Sequence, residues 1–207
     1  MTTPVSRNSP GIAPSQPTAR QSQVPTQTEQ PAAVPQRLEL HARDTFETGN
    51  AGLDAINATR LTRGAPHTCV TTTRDNLRRA GLSGIPSSTS ADGNNPRGMM
   101  VQMLQSNQWR SMPIPGATSQ TITSPYGSVQ AQVLTGEAYL QAARNGQIPE
   151  GSVVFQTRTG WDYGERSRGS DVGIVRNGGI FNYQQFNNMS VYGNDVRQVV
   201  VLQPNGR

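Results

Sequence analysis

The sequence predicts an α+β fold: N-terminal helices packed on a small antiparallel sheet, preceded by a disordered tail. Three observations carry this. Apolar residues between about 45 and 109 recur at helical spacing. Between about 126 and 202 they alternate or run continuously, as strands do, with an Asn-Gly turn among them. The first 37 residues show neither pattern.

Taken in order, residues 1–37 are dominated by Pro, Ser, Thr, Gln and Ala. Prolines stand at 4, 10, 14, 17, 25, 31 and 35, and no acidic residue precedes Glu29. Such a segment buries too little apolar surface to offset its ordering entropy, so it is expected to be disordered. Order is expected from Leu38, giving one domain over 38–207. Phe46, Leu53 and Ile56 mark one face of a helix over 45–59. Gly64-Ala65-Pro66 forms a loop. A second helix runs from Cys69 to Ala80 and ends at Gly81, a good left-handed terminator. Residues 83–96 read as a surface loop. Met99, Met100, Met103 and Leu104 mark a third helix ending near Trp109, its methionines filling core.

Residues 113–125 read as irregular loop and 126–134 as a strand. Thr135 caps a short helix carrying Ala138, Tyr139 and Ala142, closed by Gly146. Ile148 to Phe155 is a turn into a buried strand. Residues 161–169 read as a polar, mobile connection. Asp171–Arg176 and Gly179–Gln184 form a hairpin about Asn177-Gly178, a type I′ signal. A last strand spans Val196–Leu202.

The chain has 207 residues and is 33% hydrophobic, enough for one core plus a tail. No apolar run reaches the roughly 18 residues a membrane span needs. The N-terminus lacks an apolar core segment, so an ordinary secretory signal peptide is not expected. The net charge of +5 comes entirely from arginine on the basic side, lysine being absent. A GC-rich genome explains this, as does selection against ubiquitin acceptors inside a eukaryotic cell. The arginines are scattered and not interleaved with stacking aromatics, which argues against nucleic acid as a partner. One cysteine and two histidines, without H-E-x-x-H or C-x-x-C spacing, offer no metal site, and no cofactor is expected. Ser88-Thr89-Ser90 matches the Ser-Thr-Ser of some ADP-ribosyltransferases, but the Glu-x-Glu that chemistry needs is missing.

Cys69 is the candidate nucleophile. Thiolates are the reactive form, and a helix N-terminus favours them through its free N–H groups. A lone cysteine is otherwise a small buried apolar residue. The segments Cys69-x3-Thr73-x3-Leu77-x3-Gly81, Ile148-Pro149-Glu150-Gly151-Ser152-Val153-Val154-Phe155 and Asp171-Val172-Gly173-Ile174-Val175 decide between these. Over residues 60–202 they resemble, in order and spacing, the NlpC-type endopeptidase and CHAP amidase branch of the papain-like cysteine hydrolases. The resemblance implies a papain-like fold and a thiol hydrolase acting on an amide as protease, amidase or deamidase. Cys69 would be the nucleophile, Asp171 would stand at the family's histidine position, and Asn182 at that of the polar third residue. The N-terminal segment resembles the leader of bacterial type III effectors. That implies a protein secreted and translocated into a host cell, with a host protein as target and a secretion chaperone as a further partner. A plain linker explains the same composition.

The departure from the family is Asp171. A carboxylate with an ordinary pKa of about 3.9 is a poor proton donor at neutral pH unless burial raises it, and its charge opposes thiolate formation. The site is therefore dead and kept for binding, or it uses Asp171 as an unusual base, or His67 substitutes. His67 lies two residues before Cys69, an offset that points the side chains apart, and His41 reads as solvated. Trp161, Asp162 and Tyr163 either line a substrate groove or anchor a loop. Gln184 reads as an outward strand residue. Two other functions stay open: a catalytically inactive scaffold binding a host protein, and a peptidoglycan hydrolase.

Overall fold

The computed structural model describes residues 48–87, 95–161 and 169–206. The expected disordered tail, His41, Phe46, Ser88-Thr89-Ser90, Asp162 and Tyr163 lie outside them. Among the described residues there are four α-helices: α1 (Ala51–Ala58), α2 (Cys69–Arg79), α3 (Pro96–Gln105) and α4 (Gly136–Arg144). Eight strands form one antiparallel sheet: β1 (Trp109–Ser111), β2 (Thr118–Ser124), β3 (Gly127–Thr135), β4 (Val153–Thr157), β5 (Ser170–Arg176), β6 (Gly179–Phe181), β7 (Gln185–Phe186) and β8 (Gln198–Pro204). The sheet order is β2-β3-β8-β4-β5-β6-β7, and β1 pairs with the far end of β8. The fold is thus mixed α+β with an antiparallel sheet.

The helix ends follow from local chemistry. Asn50 caps α1 by accepting hydrogen bonds from the N–H groups of Gly52 (3.0 Å) and Leu53 (3.2 Å). Of the helix expected over 45–59, residues 45–47 lie outside the described residues, and α1 itself starts at Ala51. At the end of α2, Gly81 takes φ 77°. Its N–H donates to Arg78 O (2.9 Å) and the Leu82 N–H to Leu77 O (3.2 Å), the paired bonds of a Schellman turn. α4 closes the same way at Gly146, with Gln147 N–H donating to Ala142 O (2.9 Å).

Both faces of the sheet are covered. Along β4, β5 and β8 successive residues point to opposite sides. Val153, Phe155, Val172, Ile174, Val200 and Leu202 pack with Ile56, Val70, Leu77 and the α3 methionines. Val154, Val175, Val199 and Val201 pack with Tyr139 and Ala142 of α4. Double burial explains why β4 and β8 read as continuous apolar runs. Met99, Met100 and Met103 are fully buried, as core filler should be.

Three expectations are corrected. Residues 118–124 are strand β2, not loop. All seven pair with β3, yet only Ile122 and Ser124 are buried, so the strand carries no apolar alternation. α3 stops at Gln105, and Trp109 opens β1 instead of ending the helix. The returning strand of the hairpin ends at Phe181 instead of Gln184. Asn182 forms a tight turn there: its N–H donates to Gln184 O (3.0 Å) and its Oδ1 accepts from the Gln184 N–H (3.2 Å).

Candidate active site

The early end of β6 creates the site. Val175 N–H donates to Ser152 O (2.8 Å) and Val175 O accepts from the Gly151 N–H (3.0 Å), so this residue bonds toward the β4 side. Neighbouring residues of a strand bond to opposite sides, so Val172, three residues back, turns its N–H and C=O toward β6. Strand β6 reaches only as far as Ile174, which faces Phe181. The Val172 peptide therefore lacks a strand partner on that side, and α2 and Asn182 occupy the gap.

Four side chains gather on this one peptide. Thr73 Oγ1 donates to Val172 O (3.3 Å), tying the first turns of α2 to β5. Asn182 Nδ2 donates to Val172 O (3.3 Å) and to Asp171 Oδ1 (2.6 Å). Both Thr73 and Asn182 are fully buried. The Val172 main chain also favours the charged forms of Cys69 and Asp171, lowering the pKa of each. The Cys69, Asp171 and Asn182 singled out in the sequence are thus brought together.

Burial dominates their electrostatics. It pushes the Asp171 carboxyl up from 3.8 to about 7, against the opposing pull of the Val172 main chain and Asn182. Burial also pushes the Cys69 thiol up from 9.0 to about 12, and the Asp171 charge adds to that rise. The backbone N–H groups of Val70 and Cys69 pull the other way without winning. The repulsion falls on the thiol alone, because the carboxyl titrates while the thiol is still neutral. Near pH 7 the resting pair is therefore a neutral thiol beside a carboxyl poised between its two forms.

Other residues stand at the site that no local pattern marks. Gln156 faces Asp171 across the β4–β5 ladder. Its amide donates to Met189 O (2.7 Å) and accepts from the Val191 N–H (2.9 Å), which pins the 189–192 segment beside the site. Tyr192 is the next residue. Its hydroxyl is held well above its ordinary pKa by burial, then by the charges of Asp171 and Cys69. Tyr183 is raised by the same three causes. Nothing in the local sequence marks these tyrosines, because a long-range amide bond places one and a turn the other.

The remaining candidates separate. His67 is exposed, with φ 63°, and its ring lies 6.1 Å from that of Tyr183, on the rim of the site. Trp161 is buried in the same core cluster as Val172, and its carbonyl accepts from Arg97 (3.2 Å), so its side chain serves the core instead of lining a groove. Gln184 is exposed, as expected. An open groove of about 740 Å³ between β1 and β3, lined by Leu104, Trp109, Arg110, Val129, Gln130 and Gln132, shares no residue with the site. Among the described residues no three His, Cys, Asp or Glu side chains gather as a metal site would require, and no helix is long and apolar enough to cross a membrane.

No protein-family model matches the chain, and no curated protein or solved structure matches it at a significant level.

Proposed function

We propose that the domain is a papain-like thiol hydrolase acting on amides, with Asp171 doing the work of the family's histidine. The observation that supports this is the gathering of Cys69, Asp171 and Asn182 on the Val172 peptide, at the start of a helix. A carboxyl titrating at about 7 has the proton affinity of an imidazole. It accepts a proton at neutral pH and gives it back.

The steps follow from the positions. Ionised Asp171 takes the Cys69 proton as Sγ attacks the amide carbon, forming the C–S bond and an oxyanion. The Cys69 N–H, free at the helix start, donates to that oxyanion. Asp171 returns the proton to the leaving nitrogen as the C–N bond breaks. Water then cleaves the thioester, with Asp171 taking its proton and passing it to the departing thiol. Asn182 holds the carboxylate in place through its Nδ2 donor.

The acid-poor N-terminal segment supports a second part of the proposal: a bacterial effector, exported and active inside a host cell, with a host protein as substrate. The competing reading is an inactive scaffold that binds a host protein, and it is favoured by the thiol held up at about 12.

The test is hydrolysis of a library of peptide amides by the purified protein and by Cys69→Ala. The proposal expects cleavage by the parent, and a loss of at least about a thousandfold in the variant with unchanged circular dichroism. Equal activity in both sinks it. No cleavage by either, together with host-protein binding retained in Cys69→Ala, selects the scaffold.

A further inference from the structure

We infer that Arg158 is a specificity residue that draws an acidic peptide to the Cys69 site; the inference rests on the hydrolase reading above. Arg158 follows β4 directly, and its N–H donates to Gly169 O (2.9 Å). It lies two residues beyond Gln156, which faces Asp171, and Gly169 lies two residues before Asp171. Alternation along a strand puts all of these on one side of the sheet. The Arg158 head therefore sits on the Asp171 side, one strand away.

Two features hold it there. Gly169 has φ 112°, and a Cβ at that position would come within 2.8 Å of Arg158 Cγ and Nε, so the side chain runs across the space a larger residue would fill. The guanidinium carbon then lies 5.7 Å from the centre of the Tyr192 ring, a cation–π distance. Tyr192 is in turn fixed through the 189–191 backbone by Gln156. The guanidinium is thus positioned over the ring of Tyr192, a side chain that itself feels the charges of Asp171 and Cys69, and it remains exposed.

Among the described residues no carboxylate pairs with it. The single ion pair found there joins Arg74 and Asp75, and Asp171, the nearest acid by register, takes none of its shift from Arg158. An exposed guanidinium fits a carboxylate through two parallel hydrogen bonds. The excess of eighteen basic over thirteen acidic residues favours the same kind of partner.

Iodoacetate and iodoacetamide test this directly, since both alkylate Cys69 and they differ by one negative charge. The readout is the ratio of their second-order rates at fixed pH and low salt. Arg158→Gln is expected to lower the iodoacetate-to-iodoacetamide ratio about five- to tenfold, the effect of one charge several ångströms away near a surface. Arg158→Lys should keep most of the ratio, and 0.5 M salt should erode it in the parent. A ratio in Arg158→Gln within twofold of the parent overturns the inference while leaving Cys69 reactive and the hydrolase reading intact. Failure of both reagents to label Cys69 in the folded parent overturns both.

Discussion

The start of α2 differs from the starts of α1, α3 and α4. Those three are closed by a side chain: Asn50 for α1, Asn95 accepting from the Gly98 N–H (2.7 Å) for α3, and Thr135 accepting from the Ala138 N–H (3.2 Å) for α4. Thr68, before α2, makes no such bond. Free N–H groups at a helix start normally find a cap. At α2 the main chain of Val70 and Cys69 instead lowers the pKa of the thiol. Three helix starts are thus closed by side chains, while the one that carries Cys69 is not, as the proposed hydrolase needs. At the open end the favourable pull on the thiolate is outweighed by burial and by Asp171. In the proposed hydrolase the thiol would therefore have to be deprotonated by a base during attack, not beforehand.

The sharpest way to probe this contrast is Asp171→Asn. The carboxyl's pKa is raised in the folded state, from 3.8 to about 7. Its contribution to stability is full below pH about 4 and is lost as pH rises to about 7. Above that, the parent bears the cost of a buried charge. Asp171→Asn should therefore unfold at higher urea than the parent at pH 8.5, by up to about 4 kcal/mol before allowing for partial solvent screening, and the gap should close by pH 4. A gap that does not change with pH breaks the assignment.

The same ionisation governs reactivity. If Asp171 is the base, as proposed, it must be ionised to act, so parent activity should rise with pH through about 7 and stay level well into the alkaline range, the thiol itself titrating only near 12. A thiolate–imidazolium pair would instead give a bell. Cys69 alkylation should show the same rise near 7 and lose it in Asp171→Asn. A single rise near the thiol's own pKa in both proteins leaves Asp171 without a role as base.

Smaller effects test the closed ends. Asn50→Ala removes the α1 cap and also the bond from Asn50 Nδ2 to Pro204 O (2.8 Å). It should cost about 1–3 kcal/mol in urea unfolding with no change in the Cys69 alkylation rate; a changed rate means the two helix starts are coupled. Thr135→Ala should cost about 1 kcal/mol, again without touching the thiol. Gly81→Ala meets no atom within 4 Å, so its cost is the left-handed backbone alone, about 1 kcal/mol. A larger loss in thermal unfolding points to packing at the end of α2 that the glycine was sparing.

Much of the architecture was legible because its signals act over a few residues. The Leu77-x3-Gly81 end of α2, the Thr135 cap and the Asn177-Gly178 turn (φ 53° and 69°) each sit where the local pattern puts them. β2 was not legible. Its Thr, Ser and Gln residues lie on a largely exposed hairpin, and such a strand is held by pairing with its neighbour, which no one-dimensional pattern reports. Trp161 was ambiguous because an aromatic beside a polar loop serves a groove or a core equally well, and only packing against Val172 and Phe155 decides.

The sequence by itself determined which residue types were on offer at the site: one thiol at a helix start, an acid at the start of the hairpin, and an asparagine eleven residues later. It also determined the helices and the hairpin that present them. Only the tertiary structure decided that they meet. Thr73 and Val172 are 99 residues apart in the chain. Their contact depends on β6 stopping short and leaving one peptide for α2 to fill. Burial in that gap moves the Asp171 carboxyl to about 7, and the Gln156 amide brings Tyr192 alongside. Desolvation and long-range hydrogen bonding are properties of the packed chain, so the chemistry of Asp171 could not be read from its name.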